Sequence, residues 1–392
     1  MKFATRMERM QASEIRELLK LTAQPDIISF AGGLPAPELF PVEENAKVSH
    51  ALVLKEGRPL LQNATTEGRP SLRAKIAKRM ADKYHTNVDP DDILITTGSQ
   101  QCLDFAGKLF LDPGDVVLCE SPSYLGALNA FNAYQPKFVE VPTDNGGLIP
   151  EELDKILETT PNCKFIYVIP DFQNPTGRTW SMERRQKFME VVNKHNLPVL
   201  EDNPYGELRY EGTILPSLKS MDTKGLVMFL GTFSKIFCPG LRLGWIAAEH
   251  SLLSEFVKIK QSADLHTSNF DQGVADAYME QYDLDEHVKE IVALYKHRRD
   301  LILESMEKYF PAGTEWTHPE GGLFLWLTFP EGVSARKVFN KCIEMKVAGV
   351  IGDAFYPNQK TDRSMRINYS NMPDDRIVEG IQRMAKAIKE CM

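Results

Sequence analysis

The sequence predicts an α/β protein: a largely parallel sheet covered by helices on both faces, joined to a smaller α+β unit. Two observations carry that expectation. From about residue 70, short apolar segments alternate with longer segments of helical periodicity. After Asp285 the pattern changes to one long charged helix followed by short strands. A length of 392 residues exceeds one small core and suits two intimate domains.

Taken in order, Ser13 to Thr22 reads as an amphipathic helix with leucines at 18, 19 and 21, and a Gly- and Pro-rich loop follows from Ser29 to Pro37. Ser71 to Lys83 is helical, Asp92 to Thr96 is a short strand, and a helix begins near Ser99. Val116–Glu120, Phe165–Ile169, Pro198–Asp202 and Leu226–Leu230 read as further strands, and Leu243–Ala248 as a strand returning to the sheet. Beyond Asp285 come the charged helix to about Phe310, a strand at Leu323–Leu327, a helix near 334–346 and a strand at Met365–Tyr369. The expected division is 1–45 as a helix and loop packed on the small unit, 46–285 as the large domain and 286–392 as the small one. Forty-five residues alone are short for a core.

Composition excludes several classes. Apolar content of 43% and charged content of 26% are ordinary for a soluble globular protein. The apolar runs fall short of a membrane span, and Met1–Arg6 does not lead into a signal-peptide core, so a cytoplasmic protein without membrane partners is expected. The net charge of −8 argues against a nucleic-acid partner. The six cysteines include no Cys-x-x-Cys pair, and the eight histidines no His-x-x-x-His spacing, so neither a disulfide framework nor a metal is expected.

The most informative stretch is Gly231-Thr232-Phe233-Ser234-Lys235, continuing through Arg242 to Trp245 and following an apolar strand. Two hydroxyls, a lysine and an arginine at a strand end suit a phosphate monoester attached to an aldehyde. Thr232, Ser234 and Arg242 would hold the phosphate, and Lys235 would form a Schiff base with the carbonyl. Pyridoxal 5'-phosphate (PLP) has that shape. A turn with a solvated lysine is the plain alternative, so other strand ends must decide. Asp202 could pair with a protonated pyridine nitrogen, or merely cap a turn. Tyr205 and Asn174 could hydrogen-bond the ring's phenolic oxygen, although Asn174-Pro175-Thr176-Gly177 is also a strong turn signal. Ser99 and Gln100 open a helix whose N–H groups favour an anion; Ser99 could equally be an ordinary cap. Tyr124 could stack on the ring. Together these supply every contact PLP needs, all at strand ends of one sheet, where α/β proteins bind ligands.

The chain resembles the fold-type I PLP-dependent aminotransferases of class I/II over essentially its whole length. Within them it is similar to the 2-aminoadipate and kynurenine/aminoadipate subgroup. The resemblance rests on Gln11–Lys20, Ser29–Pro35, Pro170–Gly177, Glu201–Tyr205, the Lys235 run, Ala263–Thr267 and Arg366–Ser370. It implies a mainly parallel seven-stranded sheet between helices, a homodimer with shared active sites, and the N-terminal segment as an active-site lid. It also implies ping-pong transfer of an amino group from an L-amino acid (2-aminoadipate, glutamate, aromatic or branched) to a 2-oxo acid such as 2-oxoglutarate. Lys235 acts there as base and Asp202 keeps the ring nitrogen protonated.

By the same resemblance Arg366 clamps the substrate α-carboxylate, with a surface ion pair as the plain alternative. Gly33 offers backbone to the substrate, while Arg16, assisted by Ser13, binds a distal carboxylate, with an arginine on a solvated helix face as the plain alternative. One departure stands out: where the family has tyrosine in a Leu-Gln-Tyr pattern reaching the partner subunit's phosphate, this chain has Leu61-Gln62-Asn63. Asn63 is shorter, so it either falls short of that phosphate or reaches it only through water. A PLP-dependent lyase, by β-elimination or decarboxylation, is the alternative on the same scaffold. A PLP-sensing transcription regulator is disfavoured, because only about 45 residues precede the cofactor domain and no basic helix-turn-helix pattern is present.

Overall fold

The computed structural model describes residues 1–8, 10, 26–358 and 361–392. The expected helix from Ser13 to Thr22, and with it Ser13 and Arg16, lies outside the described residues.

The strands in chain order are β1 (Ile28–Ser29), β2 (Ile93–Thr97), β3 (Val116–Glu120), β4 (Lys137–Val141), β5 (Thr143–Asp144), β6 (Gly147–Leu148), β7 (Cys163–Val168) and β8 (Val199–Asp202). They continue with β9 (Val227–Thr232), β10 (Leu243–Ala247), β11 (Glu315–Trp316), β12 (Phe324–Thr328), β13 (Val347–Ala348), β14 (Val350–Ile351) and β15 (Ser364–Asn368). Seven of them form one sheet in the order β2-β10-β9-β8-β7-β3-β4. Only β10 runs antiparallel to its neighbours. A second, antiparallel sheet has the order β11-β12-β15-β14.

The predominantly apolar strands follow from burial of both faces of the large sheet. Along β7, Phe165 and Tyr167 join one core while Ile166 and Val168 join the other. Along β8, Leu200 and Val199 divide in the same way. The helices covering these faces start at conventional signals. Pro70 opens Pro70–Tyr84, and the Ser181, Ser268 and Asp283 side chains cap Met182–His195, Asn269–Gln281 and Leu284–Tyr309.

The second sheet has its own core, in which Ile302, Met306, Leu325, Ile367 and Ile381 are buried. Ile28 and Phe30 belong to that core too, and β1 pairs in parallel with β13. The segment after residue 26 is thus built into the smaller unit's packing.

The structure adds elements that periodicity alone did not reveal. The edge strand β4 places Lys137 in solvent and half-buries Glu140, so it lacks the apolar run of its neighbours. Helices Leu125–Asn132, Pro150–Thr159, His250–Ala263 and the capped Met182–His195 cover the sheet as well.

Candidate active site

The site begins where β2 ends. Gly98, at φ +73, turns the chain into helix Ser99–Phe110. Gly98 occupies the capping position, so Ser99 is the first helical residue and not the cap. Beside this turn runs β10, and the approach is close: a Cβ on Gly244 would stand 2.5 Å from the Ser99 amide nitrogen. Arg242 has φ +54 and follows the short turn Pro239–Leu241. A Cβ on Gly98 would collide with its Nη2. Glycine at 98 therefore serves both the left-handed backbone and the arginine's approach.

Thr232, at the end of β9, completes this corner. Its Oγ1 accepts from the Ser234 amide at 3.1 Å and lies 3.0 Å from Ser234 Oγ and 3.1 Å from Leu243 O. A helix N-terminus, two buried hydroxyls and a guanidinium converge, as an anionic phosphate requires. The Gln100 side chain instead donates to Gly126 O at 2.9 Å, which leaves its backbone N–H as its contribution to the corner.

Lys235 stands next to the corner, and its Nζ donates to Gly33 O at 2.8 Å. Burial, together with the positive charges of Arg242 and Arg366, brings its amine down to about 8. Gly33 thus meets Lys235 through its carbonyl in this structure. A side chain there would press on Phe324, since a Cβ would lie 2.9 Å from Phe324 Cζ.

Asp202 ends β8 and is buried. It accepts a hydrogen bond from Tyr167 Oη at 2.7 Å through Oδ2, and its Oδ1 is buried without a partner among the described residues. Sequence reasoning missed Tyr167. A tyrosine inside the run Phe165–Ile169 carries no mark of its partner, although a buried phenol usually needs one.

Across the cleft, Asn174 uses both ends of its amide. Nδ2 donates to Tyr205 Oη at 3.3 Å, and Oδ1 accepts from Arg366 Nη1 at 2.9 Å. Arg366 Nη2 donates to Ala31 O at 2.7 Å, while Arg366 Nε is buried without a partner among the described residues. The guanidinium lies 4.3 Å from the centroid of Phe324 and 5.0 Å from that of Phe355. Burial brings it down to about 10, so it remains a cation at neutral pH. Only 2% exposed, Arg366 is not the surface ion pair that was the plain alternative.

A buried scaffold steadies these groups. Arg185 pairs with Asp171 at 2.6 Å, and Asp171 also accepts from Asn203 Nδ2 at 3.2 Å. Gln173 donates to Pro122 O at 2.8 Å and accepts from the Thr176 amide at 2.9 Å. The loops carrying Asn174, Tyr205 and Tyr124 are thereby tied together.

Ser99, Gln100, Tyr124, Asn174, Asp202, Tyr205, Thr232, Ser234, Lys235, Arg242, Gly33 and Arg366 all line one cleft of about 320 Å³. A larger hollow of about 620 Å³, near Arg178 and Trp316, contains none of them. Asn63 lies on an exposed loop, its Oδ1 3.3 Å from His266 Nε2, and does not line the cleft of its own chain. The residues present fit PLP: a carboxylate oxygen lacking a donor, an anion corner and a depressed lysine face one cavity.

The comparisons agree with this chemistry. The family model described as aminotransferase class I and II matches residues 26–384. The chain is 44% identical to the aromatic-amino-acid aminotransferase 1 of Thermococcus litoralis, over 98% of this chain and 93% of that one. It superposes on Pyrococcus horikoshii kynurenine aminotransferase with a TM-score of 0.95 at 42% identity, covering 99% of this chain and 97% of that one. It also superposes on the Thermus thermophilus α-aminoadipate aminotransferase, complexed with N-(5'-phosphopyridoxyl)-L-leucine, with a TM-score of 0.93 at 37% identity and coverage of 99% and 97%. The chain belongs to the class I and II aminotransferases and is a PLP-dependent transaminase.

Proposed function

We propose that this chain moves the amino group of 2-aminoadipate, glutamate or an aromatic or branched L-amino acid to a 2-oxo acid such as 2-oxoglutarate, in ping-pong order. The observation that carries the reading is a half-buried lysine in the cleft, lowered to about 8, between an anion corner and the buried cation Arg366. The breadth of donors is supported by relatives named for aromatic, kynurenine and aminoadipate substrates, one of them complexed with a phosphopyridoxyl-leucine.

Ser99, Thr232, Ser234, Arg242 and the Gln100 backbone would hold the phosphate. Asp202 would face the ring nitrogen, Tyr205 and Asn174 the phenolic oxygen, and Tyr124 the ring. When bound, PLP supplies an electrophilic carbonyl and a ring that withdraws electrons from the substrate α-carbon. Arg366 clamps the α-carboxylate and so sets which α-carbon bond faces the ring. Lys235, with its amine largely neutral above pH 8, takes the α-proton at Nζ and delivers it back as the amino group is exchanged. Asp202, as a carboxylate, keeps a positive ring nitrogen in place. Release of the 2-oxo acid frees Arg366 and Lys235 to repeat these roles with the acceptor.

Arg16 and Ser13, outside the described residues, would read a distal carboxylate. The chain would act as a cytosolic homodimer, with Asn63 approaching the partner subunit's phosphate. Exposed Leu61 and Leu265, which flank the Asn63–His266 contact in sequence, suit such an interface, and the six unpaired cysteines suit a reducing compartment. Sedimentation at the mass of a single 44.4 kDa chain would contradict the dimer.

Replacing Lys235 with alanine tests the function. Transfer from 2-aminoadipate to 2-oxoglutarate should fall by at least about a thousandfold, since the variant loses nucleophile and base together. Wild-type turnover by Lys235→Ala would refute the reading.

A further inference from the structure

We propose that Tyr167 is a positioning residue of the cofactor site: its hydroxyl holds one oxygen of Asp202 and so reserves the other for the ring nitrogen of PLP. This role rests on the transaminase reading above.

The argument starts from register. Tyr167 of β7 pairs with Leu200 of β8, so Asp202, two residues further along, projects from the same face of the sheet. The diagonal contact is a hydrogen bond of 2.7 Å from Tyr167 Oη to Asp202 Oδ2. Oδ1 is left buried with no partner among the described residues, in a side chain that lines the cleft. A buried carboxylate oxygen without a donor is costly, so the arrangement is complete only when a donor arrives with the ligand. A pyridine nitrogen carrying a proton is such a donor.

Tyr167 is suited to fix that geometry. It is fully buried, and its ring packs edge-on against Phe131 with centroids 5.8 Å apart. The sheet therefore sets where the hydroxyl lies. Core filling alone would not need that hydroxyl, because Phe165, two residues earlier on the same face, makes a similar edge contact with Phe131 at 5.1 Å. The hydroxyl also acts on charge. Burial raises Asp202 to about 6, and the bond from Tyr167 opposes that rise. The other ionisable groups coupled to Asp202 are Tyr124, Tyr205 and Cys102, none of which is a cation. Among the described residues, the Tyr167 hydrogen bond is what favours the ionised carboxylate against its burial.

The test is a double-mutant cycle read by cofactor binding. Apoprotein would be titrated with PLP for the wild type, Tyr167→Phe, Asp202→Asn and the double variant, with apoprotein melting followed in parallel. Tyr167→Phe keeps the ring and should weaken PLP binding about 10-fold or more. In the Asp202→Asn background the same change should cost less than about 2-fold, because the hydroxyl has lost the group it positions. Equal losses in both backgrounds would reduce Tyr167 to a structural residue and overturn the proposal, as would unchanged binding in Tyr167→Phe. A wild-type chain that took up no PLP would overturn the transaminase reading itself, so the two failures are distinguishable.

Discussion

Desolvation and two neighbouring arginines decide the charge of Lys235. An ordinary lysine loses its proton near pH ~10.4. Burial and the neighbouring Arg242 and Arg366 bring this one to about 8. The shift is downward, so the neutral, nucleophilic amine fills in as pH rises through 8. Trapping of apoprotein Lys235 by an amine-selective acylating reagent should therefore reach half its limiting rate near pH 8; a half-point near that of an ordinary lysine would show that neither burial nor the arginines lower it. Lys235, Asp202, Asn174 and Tyr205 were legible in the sequence because each lies in a short run at or just after a strand end, whereas Arg366, in the middle of β15, was named only through the family resemblance. Tyr167 and Asp171 were not legible, because their meaning depends on partners 35 and 14 residues away with no periodic signal joining them.

At the scale of elements, the strand ends carry the chemistry and the loops after them are held by buried polar contacts. The Asp171–Arg185 pair is the strongest of these holds: both side chains are at most 3% exposed, and Asp171 also fixes Asn203. Asp171→Ala would leave a buried guanidinium without its carboxylate and should destabilise the fold by about 3–5 kcal/mol, seen as a lowered melting temperature. An unchanged melting temperature would mean that the pair contributes nothing net. The apolar strands were readable because both faces of the large sheet are covered. The edge strand β4 was not, since its exposed Lys137 and half-buried Glu140 break the run. Helix Ser99–Phe110 was expected near its true start, but only the structure shows Gly98 as its cap, leaving Ser99 to the anion corner.

At the scale of the whole molecule, the site exists because two sheets and one strap meet. Arg366 comes from β15 of the smaller sheet, while Lys235 and Asp202 come from the larger one. The segment after β1 bridges them: Ala31 O accepts from Arg366 and Gly33 O from Lys235. The alternation of strands and helices made both units readable in the sequence. Their mutual placement was not readable, because it rests on backbone carbonyls that carry no sequence mark. The central claim, that this arrangement transfers an amino group rather than eliminates or decarboxylates, is tested most directly in one half-reaction. PLP-loaded enzyme would be given 2-aminoadipate alone and the released 2-oxo acid counted. Transamination predicts about one equivalent per active site, with further release only when 2-oxoglutarate is added. Continuous product formation without an acceptor would contradict it.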